Sequence, residues 1–397
     1  MPEETNQTGS NERLRVLRIA HASLTPALRE RERALAKECT DIDLEVLTTT
    51  RWREAGVDVY ATADDLFQVS PARACLSNHI QLFAYDPRPV VRALRRHRPH
   101  LIDLNHEPYS IACAEILALA DWLLPGVPVV MQVAQNILRQ YPPPVNWLQS
   151  RALRRIAAAY ACSEGAREVL RTKGFQKPIS IIPFGVNTET FRPGPQRRRG
   201  ATLTTGFVGR MLPGKGLGVL ADALTKLALD DWKLLLVGDG PERKRFERVL
   251  AERALLDRAE FAGAIPYEKV ADCYRRMDIF AMPTRTTGRI REQFGRVLVE
   301  AMASGVPVVG TTCGAIPEVV GDAGLIVSEN DADALAEGLR RLLVDETLRE
   351  RLARVGRERA EQNYSWERVA ARTQTLFRQV LKARVATDLT QRWEVAA

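Results

Sequence analysis

The chain alternates short, almost unbroken apolar runs with longer segments whose apolar residues recur at helical spacing. LRVLRIA (Leu14–Ala20), IDLEVLTT (Ile42–Thr49), LIDLNHE (Leu101–Glu107), VPVVMQV (Val127–Val133), AAYACS (Ala158–Ser163) and ISIIPFGV (Ile179–Val186) read as strands. Leu28–Glu38, Val90–His97 and Ile111–Leu124 read as helices, and PPPVNW (Pro142–Trp147) opens another, because proline suits a first helical turn. Arg51–Asn78 carries no clear period and is expected to be loop-rich. FRPGPQRRRG (Phe191–Gly200) breaks the pattern, which then restarts. Strands are expected at Thr204–Arg210, Lys233–Gly240, Ala259–Ile265, Ile279–Thr284, Val306–Thr311 and Ala323–Ser328. From Asp331 to Val385 the period is helical, with Trp366–Val385 as a closing helix. Strands alternating with helices predict crossover units and parallel sheets. The expected layout is a disordered tail (1–13), a Rossmann-like domain (14–192), a linker (193–200), a second Rossmann-like domain (201–365), and a terminal helix (366–397) returning to the first domain.

A chain of 397 residues exceeds one ordinary core, which agrees with two domains. The formal net charge of +8 is shared by both halves, so no basic arm marks nucleic acid as a partner. A mildly basic balance suits an anionic substrate or an anionic membrane surface. The six cysteines (39, 75, 113, 162, 273 and 313) lack paired spacing and read as thiols of a reducing compartment. The polar start MPEETNQTGSNER predicts no signal peptide. Ile111–Met131, the longest apolar region, is interrupted by Glu115, Asp121, Pro125 and Pro128 and is too broken for a membrane span. A cytoplasmic protein is expected, with a peripheral place on the inner membrane face as an option.

The candidate chemistry centres on EQFGRVLVEAMASGV (Glu292–Val306). It opens with a carboxylate at Glu292, passes Phe294 and Gly295, and carries Glu300 on a helical run that Gly305 can end with positive φ. A helix N-terminus suits a phosphate, and ionised carboxylates suit sugar hydroxyls, so the stretch is expected to hold a nucleotide-sugar. A second anion site is expected in GFVGRMLPGKGL (Gly206–Leu217), where Arg210 and Lys215 fall on a strand-to-helix turn. Gly209–Lys215 matches the Walker A spacing, but Gly216 stands where that motif requires Ser or Thr.

FVGR, KG, VGDGP, EQFGRVLVEAMASGVPVVG and GAIPEVVGDAG resemble the retaining glycosyltransferases of family 4, most closely over Gly206–Tyr364; HEPYS and IPFGVNTETFRPG extend the resemblance into the first half. The resemblance implies the GT-B fold, an α/β arrangement of two doubly wound Rossmann-like domains facing a central cleft. It implies a hexosyltransferase that moves a sugar from a nucleotide-diphosphate sugar to a hydroxyl acceptor: a lipid-linked glycan, a polysaccharide or a small metabolite. Arg210 and Lys215 would hold the donor diphosphate, Glu300 the ribose hydroxyls, and Glu292 the donor sugar. Backbone N–H groups near Phe294 and Gly295 would meet sugar or phosphate. His106, in the HEP pattern, would lie near the transferred sugar, making His106, Arg210, Lys215 and Glu292 the catalytic set. Gln135 and Asn136 are further candidates for lining the cleft, whereas Tyr141, Pro142 and Trp147 are expected to pack locally.

One stretch departs from the family pattern. Many relatives carry paired glycines after the first strand, but HASLTPALRE (His21–Glu30) has none, so no acceptor residue is carried over there. Asp41 and Asp43 mimic a D-x-D metal motif but read as a turn, and no cluster has metal-ligand spacing. No metal and no other cofactor is expected. The resemblance implies retention, and with no obvious covalent nucleophile in the first half, front-face attack is the expected course. Arg88, Arg92, Arg95, Arg96 and Arg98 form a basic face that could meet anionic lipid. The alternatives are a nucleotide-sugar epimerase of the same architecture and a non-catalytic nucleotide-sugar-binding subunit.

Overall fold

The computed structural model describes residues 13–54, 57–76, 79, 81–194, 202–288 and 290–396. The expected tail therefore lies outside the described residues except for Arg13, and the expected linker except for Pro193 and Gly194. Two large sheets carry the fold. The first has seven strands in the spatial order Ile179–Ile181, Ala158–Ala161, Val129–Val133, Leu101–Leu104, Leu14–Ile19, Ile42–Thr49 and Gln68–Ala72. The second has six: Ala259–Gly263, Trp232–Val237, Leu203–Val208, Ile279–Met282, Val308–Thr311 and Gly324–Val327. Every pairing in the second sheet is parallel.

Helices cover both faces of a parallel sheet, so its strands need apolar side chains on both sides. Val16, Leu17, Ile19, Val46, Leu47, Ile102, Leu104, Val129 and Val130 are accordingly sealed from solvent. The second sheet packs Phe207, Leu234, Leu236, Ile279 and Ala281 against helix residues Leu220, Leu224, Leu250, Leu335 and Leu339.

The region expected to be loop-rich is partly strand. Arg51–Glu54 and Val57–Tyr60 form an antiparallel hairpin, and Gln68–Ala72 pairs in parallel with Ile42–Thr49. QVSPA escapes a sequence reading because it is an edge strand: one side needs no ladder partner, so a proline and polar residues are tolerated. Ile179–Val186, expected as one strand, stops at Ile181 ahead of Pro183; Val186 makes only an isolated bridge to Ser365.

By internal contacts the chain forms two compact units. One runs to Gln132 and adds Tyr141–Ala159 and the chain from Ala370; the other holds Val133–Gln140 and Tyr160–Val369. Residues 160–192, placed by the sequence in the first domain, group with the second unit. Their main chain is tied there: Val186 N donates to Tyr364 O (2.8 Å), and Arg357 Nη1 donates to Thr188 O and Phe191 O (3.0 and 2.7 Å).

Within the first unit the closing helix (Trp366–Ala396) is fastened by polar contacts. Gln374 Nε2 and Arg378 Nη2 donate to the Asp41 carboxylate at 2.5 and 2.7 Å, and Arg31 Nη2 donates to Thr373 Oγ1 at 3.0 Å. The glycine-free stretch after the first strand is organised by Arg29, which is fully buried. Its guanidinium donates to the carbonyls of Ser23 (2.8 Å), Leu24 (2.6 Å), Thr62 (2.7 Å) and Ala63 (3.3 Å). Arg18, on the first strand, donates to Glu32 (2.5 Å), Asp103 (2.7 Å) and Gln132 (3.0 Å), all buried.

Candidate functional site

In the second unit the strand Leu203–Val208 runs into a single 3₁₀ turn, Pro213–Lys215, and then the helix Leu217–Thr225. Gly216 joins turn to helix at φ 72°, and a Cβ there would stand 1.8 Å from Pro283 O, so only glycine fits. This geometry delivers Lys215 Nζ to Glu292 Oε2 at 2.7 Å, both side chains partly exposed. The sequence placed these residues far apart in the chain; the fold makes them one ion pair.

Glu292 is held through its main chain. Its carbonyl accepts from Asn136 Nδ2 at 2.7 Å and from Ala315 N at 3.0 Å. Gly314, at φ 58°, allows that approach, since a Cβ there would lie 2.1 Å from Glu292 O. Asn136, expected to line a cleft, is buried and also reaches Arg291 O at 3.4 Å. Its amide is a strut for the Glu292 segment. Gln135, the companion candidate, is likewise buried and accepts through Oε1 from the Lys173 ammonium. Arg210 is exposed on the same connection as Lys215, and its guanidinium takes no partner among the described residues.

Gly295, at φ 84°, heads the helix Arg296–Ala303. The Phe294 ring is buried edge-on against Phe184 (5.5 Å) and Tyr364 (5.7 Å), leaving only its backbone for a ligand. The N–H groups of Phe294 and Gly295 have no backbone acceptor among the described residues. Glu300 is buried on this helix, and its Oε2 accepts from Tyr274 OH at 3.0 Å. Burial first, and then the Glu300 charge, push the Tyr274 pKa well up, so this phenol stays a donor.

His106 belongs to the first unit, two residues past the strand Leu101–Leu104. It is buried, its Nε2 lies 3.0 Å from Tyr85 OH, and its ring stacks on His21 at 5.4 Å. An unperturbed histidine switches protonation near neutral pH. Burial, followed by the nearby His21 and Arg18, instead lowers the His106 pKa well below the ordinary value, so it remains a neutral imidazole. His21 is lowered to about 4 by burial. Tyr85, His21 and Arg18 were all missed from sequence; the one available signal was that His21, like His106, closely follows a strand end.

These histidines imply a pH dependence. The folded chain holds His21 neutral down to about pH 4, whereas an unfolded histidine takes its proton near pH 6.5. Between these values the unfolded state binds more protons, so stability rises with pH; it is complete above about 6.5 and lost as pH falls toward 4. His106 acts in the same direction. Urea midpoints measured across that window should fall on acidification, and the fall should be shallower in His21→Phe.

The five arginines of the basic face are all exposed, but Arg96 is engaged by Glu45 (2.5 Å) and Ser70 (3.1 Å). Arg95 lies over the exposed Trp122 at 5.9 Å. Trp147, expected to pack locally, is 59% exposed with Arg151 6.0 Å from its ring; Tyr141 does pack locally, against Tyr109 at 4.5 Å. In the D-x-D mimic, Asp41 is the carboxylate that fastens the closing helix, and among the described residues no three His, Cys, Asp or Glu side chains converge as a metal site. No helix among them is long and apolar enough to cross a membrane.

Comparison with known proteins gives matches along most of the chain. The family description "Glycosyltransferase Family 4" matches residues 29–190, and "Glycosyl transferases group 1" matches residues 192–359. The chain is 30% identical over 224 residues to the phosphatidylinositol N-acetylglucosaminyltransferase gpi3 subunit of Schizosaccharomyces pombe, covering 56% of this chain and 48% of that one. It is 30% identical over 214 residues to a GDP-mannose-dependent alpha-(1-6)-phosphatidylinositol monomannoside mannosyltransferase of Mycobacterium tuberculosis, covering 50% and 56%. The chain thus spans about half the length of these curated relatives. Among solved structures, sucrose-phosphate synthase from Thermosynechococcus elongatus superposes with a TM-score of 0.71 at 22% identity, covering 94% of this chain and all of that one. The fold is that of the GT-B structures.

Proposed function

The chain belongs to glycosyltransferase family 4, its second half matching the group 1 enzymes, and from that premise we propose that it transfers a sugar from a nucleotide-diphosphate sugar to a hydroxyl acceptor, with retention and without a metal ion. The Lys215–Glu292 pair carries this reading. In such a donor the sugar and the phosphate adjoin, so a site needs a cation and a hydroxyl acceptor side by side. An ammonium has three donors: it can keep Glu292 and still bind phosphate oxygens, while the second carboxylate oxygen accepts from a sugar hydroxyl. Arg210 adds a second fixed cation on the same connection. Together they would stabilise the charge that grows on the leaving diphosphate, the task a metal performs elsewhere. The departing phosphate, on the attacked face, would take the acceptor proton.

Two relatives are named for phosphatidylinositol-based reactions, which puts a lipid-borne acceptor first. The exposed arginines and Trp122 fit an anionic bilayer surface, cations meeting headgroups and indole rings the interface. The full chain should float with liposomes containing phosphatidylserine and remain behind with phosphatidylcholine alone. Trp122→Ser combined with Arg92→Ser should abolish flotation; flotation unchanged in that variant would remove the membrane assignment.

The reaction is tested by incubating the chain with a panel of nucleotide-sugars, with and without acceptors. Acceptor-dependent release of nucleoside diphosphate supports transfer. A sugar altered with no acceptor present would mean an epimerase, and binding without turnover a non-catalytic subunit; either overturns the proposal. A thermal-shift panel of nucleoside diphosphates would identify the base.

A further inference from the structure

Two neighbouring strands of the first unit end level with each other. Leu14–Ile19 and Leu101–Leu104 pair in parallel with Ile19 opposite Leu104, and each carries a histidine two residues beyond its end: His21 and His106. Register alone brings the rings together, and they stack at 5.4 Å with 24° between planes. Trp52 and Phe83 close on His21 at 4.6 and 5.4 Å, and Phe83 meets the His106 ring edge-on at 5.4 Å. His21 Nδ1 is buried without a partner, which favours a bare lone pair on that atom over an N–H.

The His106 ring makes one hydrogen bond among the described residues, Nε2 to Tyr85 OH at 3.0 Å. Tyr85 is buried, and its backbone N–H is pinned by Glu115 Oε2 at 2.8 Å. A buried phenol must place its proton on an acceptor, and His106 Nε2 is the one the fold provides. That nitrogen is then the bare one, and a neutral imidazole must carry its proton on Nδ1. We propose that Tyr85 is a positioning residue that locks His106 in the Nδ1–H tautomer, so that His106 serves as a hydrogen-bond donor to a sugar hydroxyl or ring oxygen and not as a base. The charged groups around the pair, Arg18 toward His106 and Glu115 toward Tyr85, leave both neutral, as burial does. The tautomer is independent of the transfer reaction; its use on a sugar oxygen rests on that reading.

The test is long-range ¹H–¹⁵N correlation on the full chain labelled at histidine nitrogens, at neutral pH, with His106→Asn identifying the signal. His106 should show a protonated Nδ1 and a bare Nε2, and Tyr85→Phe should shift the population toward Nε2–H. The same variant should lose about tenfold or more in kcat with little change in donor KM, as expected for loss of an aligned donor. An Nε2–H signal in the wild type, or an unchanged tautomer in Tyr85→Phe, overturns the proposal. If the wild type turns over no donor, the transfer reading fails, while the spectrum still decides the role of Tyr85.

Discussion

Lys215→Ala should lower turnover by about 10²–10³, the range seen when one preorganised group facing developing charge is removed. The ammonium stands 2.7 Å from Glu292 on a turn that Gly216 holds in place, and its loss leaves only Arg210 of the two cations on that connection. Its loss also frees Glu292, whose carboxylate would then repel the donor phosphate. Stability should change little, because the pair is partly exposed and such pairs contribute at most about 1 kcal/mol. A large kcat effect with an almost unchanged melting temperature is therefore the signature. Glu300→Gln should behave differently. It keeps an oxygen for Tyr274 but weakens a charge-assisted bond to a ribose hydroxyl, raising donor KM by about tenfold with a smaller effect on kcat. Steady-state kinetics on both variants separates the roles, and wild-type turnover in both would remove the donor-site assignment.

Arg18→Met should destabilise the first unit by about 3–5 kcal/mol, the cost of leaving buried carboxylates without their cation. Glu32 and Asp103 are both buried against Arg18. Burial alone would raise the Glu32 pKa, but the charge and hydrogen bond of Arg18, with Arg31 adding to them, bring it below its ordinary value. Without Arg18 that balance reverses and Glu32 must take up a proton on folding. The melting temperature should drop by roughly 10 °C. The deficit should narrow in acid, where a protonated Glu32 no longer needs a partner. Denaturant unfolding of both proteins at neutral and mildly acidic pH measures this. A loss below about 1 kcal/mol would mean that the site relaxes or admits water.

The parts visible in the sequence share a physical cause. Strands such as Leu14–Ile19 and Trp232–Val237 are covered on both faces, so they read as unbroken apolar runs. Lys215, Glu292 and Glu300 announced themselves through local spacing, and the glycines beside them through tight turns. What stayed hidden depends on partners distant in the chain. QVSPA is a strand only because Ile42–Thr49 lies beside it. Arg29, in a stretch noted for its missing glycines, looks like a surface charge until four carbonyls are found around it. Asn136 was expected to line the cleft because it follows a strand; that its amide nitrogen holds the Glu292 main chain could not be read from the sequence. Residue type alone would give His106 a proton that switches near neutral pH; burial, invisible in the sequence, removes that property.

The first unit is assembled from three stretches of chain, the last beginning at Ala370. Asp41 and Arg31 find Gln374, Arg378 and Thr373 only once that last stretch exists. During synthesis the amino-terminal half must therefore wait on the ribosome, unfinished, while the whole second unit emerges and is free to fold. The order of maturation runs against the order of translation. A gene cut at its midpoint should yield an amino-terminal fragment that aggregates unless the terminal helix is supplied as a separate peptide.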